Sequence, residues 1–153
     1  MHKINVHTYS YNAFKETGVN DDNVESFSDY YICIHASGYI YSHPIFKKNH
    51  YNVLNLWFDD TVKTGLKAIP WNNTYRIIYA KAITVKQAKI IYNFIHRIKN
   101  GCDLHIYCPM GESRSIAICN YVTKYINNYD HIIPKWHNKL VFNLLEEVHN
   151  ARI

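Results

Sequence analysis

Between Ala82 and Ile126 the hydrophobic period of the chain changes twice, and that run limits the folds open to it. Val85, Ala88, Ile91, Ile95 and Ile98 recur at helical spacing behind a Thr84/Gln87 capping-box pair, and Gly101 follows as a stop. The short stretch LHIYC, residues 104–108, is rich in β-formers, and beyond Arg114 the run SIAICNYVTKYI presents a second helical apolar face. A helix, a short strand, a seven-residue connection and another helix form the signature of a layered α/β chain.

The rest of the sequence extends that pattern. INVHTYS (Ile4–Ser10), YICIHAS (Tyr31–Ser37) and YNVLNLWF (Tyr51–Phe58) read as strands, and GVNDDN and the basic SHPIFKKNH read as loops. A last helix from about Asn138 to Asn150 carries Leu140, Val141, Leu144, Leu145 and Val148. With 153 residues, 48% of them hydrophobic, and no linker or repeat, the expectation is a single α/β domain over 1–153. Strands alternating with helices predict a central, mostly parallel sheet flanked by helices. Residues 59–80 are the exception. Gly65, Pro70 and Asn72-Asn73 interrupt any period there, so the segment reads as an irregular insert of the kind that serves as a mobile or functional loop.

Composition narrows the function classes. No apolar stretch is long enough to cross a bilayer and MHKINVHTYS lacks the core of a secretory signal, so the expected chain is soluble and cytoplasmic, with no membrane partner. The formal charge of +5 comes from scattered residues, a mild bias toward anionic partners that leaves nucleic acid possible without favouring it. The 14 tyrosines, with abundant Asn, Ile and Lys, match an AT-rich coding bias such as that of many phages and some bacteria. Four cysteines (Cys33, Cys102, Cys108, Cys119) show no framework spacing, and reduced thiols are expected.

One of these cysteines stands in a chemically loaded place. The seven residues CPMGESR link the carboxyl end of a strand to the amino end of a helix, where unpaired N–H groups and the helix dipole favour an anion. Gly111 can take the positive φ that turns consecutive amides inward, and the planar fork of Arg114 can hold two oxyanion oxygens. In that field the Cys108 thiolate is favoured as a nucleophile, and Ser115 is placed to donate a hydrogen bond to the sulfur and assist its departure. Pro109, Met110, Gly111, Glu112, Ser113 and Arg114 are then the anion-binding residues. Only Cys108 has an arginine six positions on; the residues after Cys33, Cys102 and Cys119 are Tyr39, Cys108 and Tyr125.

The octet Cys108-Pro-Met-Gly111-Glu-Ser-Arg114-Ser115 resembles the signature loop of the protein tyrosine phosphatase superfamily, nearest the compact dual-specificity type and its small bacterial and phage members. The likeness covers roughly residues 53–126. It implies hydrolysis of a phosphomonoester through a phosphocysteine, with Cys108 as nucleophile, no cofactor and no metal. It also implies a general acid on an earlier loop, for which Asp60 in WFDDT is favoured and Asp59 is the runner-up. The implied substrate is a phosphorylated protein or a small phosphomonoester. A nucleotide or RNA 5′-end phosphatase and a phosphate-binding module without turnover are the alternatives. The chain departs from the family at Tyr107, where histidine is usual, and at Glu112, a carboxylate inside the anion loop.

Other readings of the same residues are narrower. Cys102, His105 and Cys108 are evenly spaced, but strand alternation turns His105 and Cys108 to opposite faces, against a shared metal. Cys102 and Cys119 are candidates for a resolving thiol. His43, His50 and the other histidines read as surface or core partners, and Tyr39, Tyr41 and Tyr75 as candidates to line a pocket.

Overall fold

Four strands predicted or implied by the pattern assemble into one parallel sheet. The computed structural model describes residues 2–38, 44–129 and 136–152. Strands β1 (Asn5–Ser10), β2 (Tyr30–His35), β3 (Val53–Trp57) and β6 (Asp103–Cys108) pair in the order β1-β6-β2-β3. All three pairings are parallel. Helix α2 (Val85–His96) lies in the long crossover from β3 to β6, and α3 (Arg114–Tyr121) and α4 (Lys139–Ala151) follow the last strand.

Strand alternation divides the interior between the two faces of this sheet. Ile32, Ile34, Leu104, Ile106 and Cys108 point into a cluster with Ile91 and Ile95 of α2, Ile118 and Tyr121 of α3, and Val141 and Leu145 of α4. Tyr31, Cys33 and Tyr107 point the other way, into an aromatic cluster with Phe14 and Phe46. Phe14 belongs to α1 (Tyr11–Lys15), a single short turn of helix capped by Ser10 and too short to leave a period in the sequence. Every residue of β2 is buried, as expected of an inner strand covered on both faces.

The capping box is present as predicted: Thr84 Oγ1 accepts from Gln87 N at 3.1 Å, and Gln87 Oε1 accepts from Thr84 N at 3.0 Å. The helix stops earlier than its apolar spacing suggests. Arg97 and Ile98 form a closing turn, and Gly101 bends the chain at φ +86° into β6. The run after Arg114 is α-helical to Tyr121 and then widens into a π turn over Val122–Ile126. There Thr123 Oγ1 donates to the Cys119 carbonyl at 2.9 Å, and Asn127 N reaches the Val122 carbonyl five residues back.

Residues 59–80 correct the sequence reading. From residue 65 on, the segment is a regular antiparallel hairpin of β4 (Gly65–Trp71) and β5 (Thr74–Ala80), paired from Gly65↔Ala80 to Trp71↔Thr74. Asn72 and Asn73 make its two-residue turn with φ of 45° and 62°, the mirror-image turn geometry that asparagine tolerates. Pro70 is accommodated because the hairpin belongs to no larger sheet and one side of each strand is an edge. Among the described residues no helix is long and apolar enough to cross a membrane.

Candidate active site

Parallel pairing brings the carboxyl ends of the four sheet strands to one edge, where crevices in open α/β sheets bind ligands. Ser10 of β1 stands opposite Cys108 of β6 in the register. The loop 109–113 leaves β6 here, and the residues after β3 run alongside it. Pro109 ties the loop to α1 by accepting from Tyr11 N at 3.3 Å.

Gly111 shows why the loop takes its path. Its φ is +70°, and a Cβ there would fall 2.5 Å from Ser10 N and 2.6 Å from the Tyr9 carbonyl carbon. The loop therefore lies on the backbone of β1 as closely as a residue without a side chain allows. Ser113 precedes the first turn of α3, and its carbonyl accepts from Ala117 N at 3.0 Å.

Cys108 is buried at the end of β6, with its Sγ 3.3 Å from Ser115 Oγ in a hydrogen bond. As a thiolate the sulfur can only accept, so in that state the serine hydroxyl is the donor. Arg114 is 6% exposed; its Nη1 donates to the Phe58 carbonyl at 2.8 Å, while its buried Nε–H meets no acceptor among the described residues. Buried guanidinium donors are normally all paired, so this one is available to a bound anion. Burial, and secondarily the Arg114 guanidinium, holds His35 below the ordinary histidine range despite its 2.9 Å bond to Asn55. That favours the neutral form of the imidazole beside Arg114.

The two candidate acids separate cleanly. Asp59 is buried and saturated: its carboxylate accepts from Ser37 N at 2.9 Å, from the Ser37 hydroxyl, and from Lys81 N at 2.7 Å. It fastens the end of β2 to the end of β5. Asp60 turns instead into a pocket of about 230 Å³ that Cys108, Met110, Glu112, Ser113, Arg114 and Trp136 also line. Its Oδ1 accepts from Ser113 Oγ at 2.8 Å and from Asn138 Nδ2 at 2.9 Å. Asn138 also caps α4 through Val141 N at 3.1 Å. In the sequence Asn138 is legible only as a helix start; its link to Asp60 spans 78 residues and leaves no local signal.

The structure thus brings together Cys108, Arg114, Ser115 and Asp60, with Ser113 and Gly111 shaping the loop. Met110 and Glu112 are exposed on its rim. Tyr107 faces away: it packs on Phe14 with ring centroids 4.9 Å apart, and burial pushes its phenol far above the ordinary range. His105 bonds Asp29 and Tyr9 at 2.8 Å each, on the face opposite Cys108. Cys102 lies beyond the other end of β6, about 20 Å from Cys108 at strand rise, too far for a disulfide. Burial pushes the Cys119 thiol up, which suits an inert residue better than a resolving one. Tyr75 is on the exposed side of the hairpin and lines no part of the site, while Tyr39, Tyr41 and His43 fall outside the described residues.

Comparison of the chain with protein-family models, with curated proteins and with solved structures finds no match in any of the three.

Proposed function

We propose that the protein is a cysteine-dependent phosphomonoesterase of the protein tyrosine phosphatase type, acting through a phosphocysteine. Cys108 Sγ attacks phosphorus, the ester P–O bond breaks, and Asp60 gives its proton to the departing oxygen. Water then attacks phosphorus and loses a proton to Asp60, and the P–S bond breaks as Ser115 donates to the returning thiolate. Arg114 holds the equatorial oxygens, whose charge must be neutralised throughout, with the loop backbone N–H groups as further donors.

The observation that carries this reading is the partnerless Nε–H of a buried arginine in a pocket that a cysteine and a carboxylate also line. A purely structural Arg114 would have that donor satisfied. The position of Asp60, held by two neutral donors at the pocket wall, favours turnover over passive binding.

The test is phosphate release from para-nitrophenyl phosphate between pH 5 and 8. Cys108→Ser is expected to abolish turnover, and Asp60→Asn to lower kcat by about 10²- to 10⁴-fold, the ordinary worth of a general acid. A wild-type protein that binds vanadate but releases no phosphate would make it a binding module.

A further inference from the structure

A second pocket, of about 510 Å³, opens beside the first and shares Asp60, Met110 and Arg114 with it. Its far wall is the hairpin, through Ile69, Pro70 and Ile78, and its near wall includes Tyr11 and Pro109. Resting on the function proposed above, we infer that this is the leaving-group site. It selects phosphomonoesters whose alcohol carries an uncharged apolar body larger than a single aromatic ring.

Size sets the first part of that statement. An apolar cavity of about 150 Å³ holds one benzene ring, so the pocket is more than three times what one ring fills. Charge sets the second. Lys67 donates its ammonium to the Asp60 carbonyl, Asp59 is consumed by Ser37 and Lys81, and Arg114 belongs to the reacting phosphate. A second phosphate on the substrate would meet mostly aliphatic carbon and the Asp59 and Asp60 carboxylates, with Lys67 the one cation left to it among the described lining residues, which disfavours nucleotide polyphosphates and RNA ends.

The hairpin register makes the wall separable from its back. Lys67↔Ile78 and Ile69↔Arg76 are opposed pairs on the face toward the pocket. Ile77 is on the other face, 69% exposed, and contributes nothing to the lining. Two adjacent isoleucines thus differ in one respect that matters.

The experiment compares phenyl phosphate with 2-naphthyl phosphate, whose leaving groups have similar acidity and differ by one fused ring. Wild type is expected to show a kcat/KM about tenfold or more higher for the naphthyl ester, carried mostly by KM. Ile78→Ser should lower that preference several-fold while leaving inhibition by inorganic phosphate unchanged, and Ile77→Ser should leave both unchanged. Equal handling of the two esters by wild type, or an Ile77→Ser effect matching that of Ile78→Ser, overturns the inference and leaves the phosphatase reading standing. No turnover of either ester and no binding of inorganic phosphate by calorimetry would overturn both.

Discussion

Replacing Gly111 with alanine tests the link between backbone geometry and chemistry. At φ +70° a residue with a side chain costs about 1–2 kcal/mol in the left-handed region before any contact is considered. The new Cβ would stand 2.5 to 2.8 Å from Ser10 N, the Tyr9 carbonyl carbon and its oxygen. Non-bonded carbon contacts are optimal near about 3.5–4.0 Å, so the loop must lift by roughly 1 Å. The atoms it meets are backbone, and β1 is pinned to β6 through Tyr9↔Tyr107 and Ser10↔Cys108, so the strand cannot retreat cheaply. Overpacking of this sort costs about 1–3 kcal/mol, giving a total of about 2–5 kcal/mol.

Gly18→Ala is the internal control, because Gly18 has nearly the same φ, +76°, with nothing within 4 Å of the added atom. Urea unfolding of the two variants beside wild type separates the contact cost from the conformational one. Gly18→Ala should lose about 1–2 kcal/mol, and Gly111→Ala clearly more. Turnover should be unchanged in the first and fall about 10²-fold in the second, since a misplacement of about 1 Å at a reacting centre has that effect. Equal destabilisation by both variants, with turnover intact, would refute the claim that the loop rests on β1 at Gly111.

The two adjacent aspartates should respond in opposite ways. Asp59→Asn disrupts charge-assisted bonds to Ser37 and Lys81 and should cost about 2–4 kcal/mol in denaturant, whereas Asp60→Asn should cost little stability and most of kcat. Asn138→Ala removes the α4 cap and a donor to Asp60; a loss of about 1 kcal/mol is expected, and Asn138→Ser should restore the stability without restoring kcat. His50 is held above the ordinary histidine range by Asp21 first and Glu25 second. Its contribution is therefore fully present below the unfolded value near 6.5 and lost as pH rises through the folded value. The difference in Tm between wild type and His50→Gln should shrink from pH 5.5 to pH 9, and growth instead would contradict the assignment.

Much of this arrangement was legible in the chain, and the failures have physical causes. The Thr84/Gln87 box, the β6 strand and the Cys108-to-Ser115 connection are local signals, fixed by residues close in sequence. The hairpin escaped because its strands do not alternate polar with apolar. Leu66, Ile77 and Tyr79 on the outer face are as apolar as Ile69 and Ile78 on the inner one, and an Asn-Asn pair interrupts any local period. Asp59 and Asp60 could not be told apart from sequence, since what distinguishes them is Ser37 and Lys81 on one side and Ser113 and Asn138 on the other. Tyr107, which stands where the signature that the loop resembles has histidine, is explained by alternation: it faces the aromatic cluster, where a phenol ring fills space beside Phe14 and Tyr11.

The central claim is that Cys108 becomes covalently phosphorylated. Rapid acid quench of Asp60→Asn during turnover of para-nitrophenyl phosphate, followed by proteolysis and mass spectrometry, tests it directly: this leaving group departs without a proton, so the first step proceeds, while the second lacks its base and the intermediate accumulates. The account predicts one added phosphoryl group on the peptide that contains Cys108, absent when Cys108 is also replaced by serine. Phosphate release with no phosphoryl group on that peptide, or with one on another residue, would contradict it.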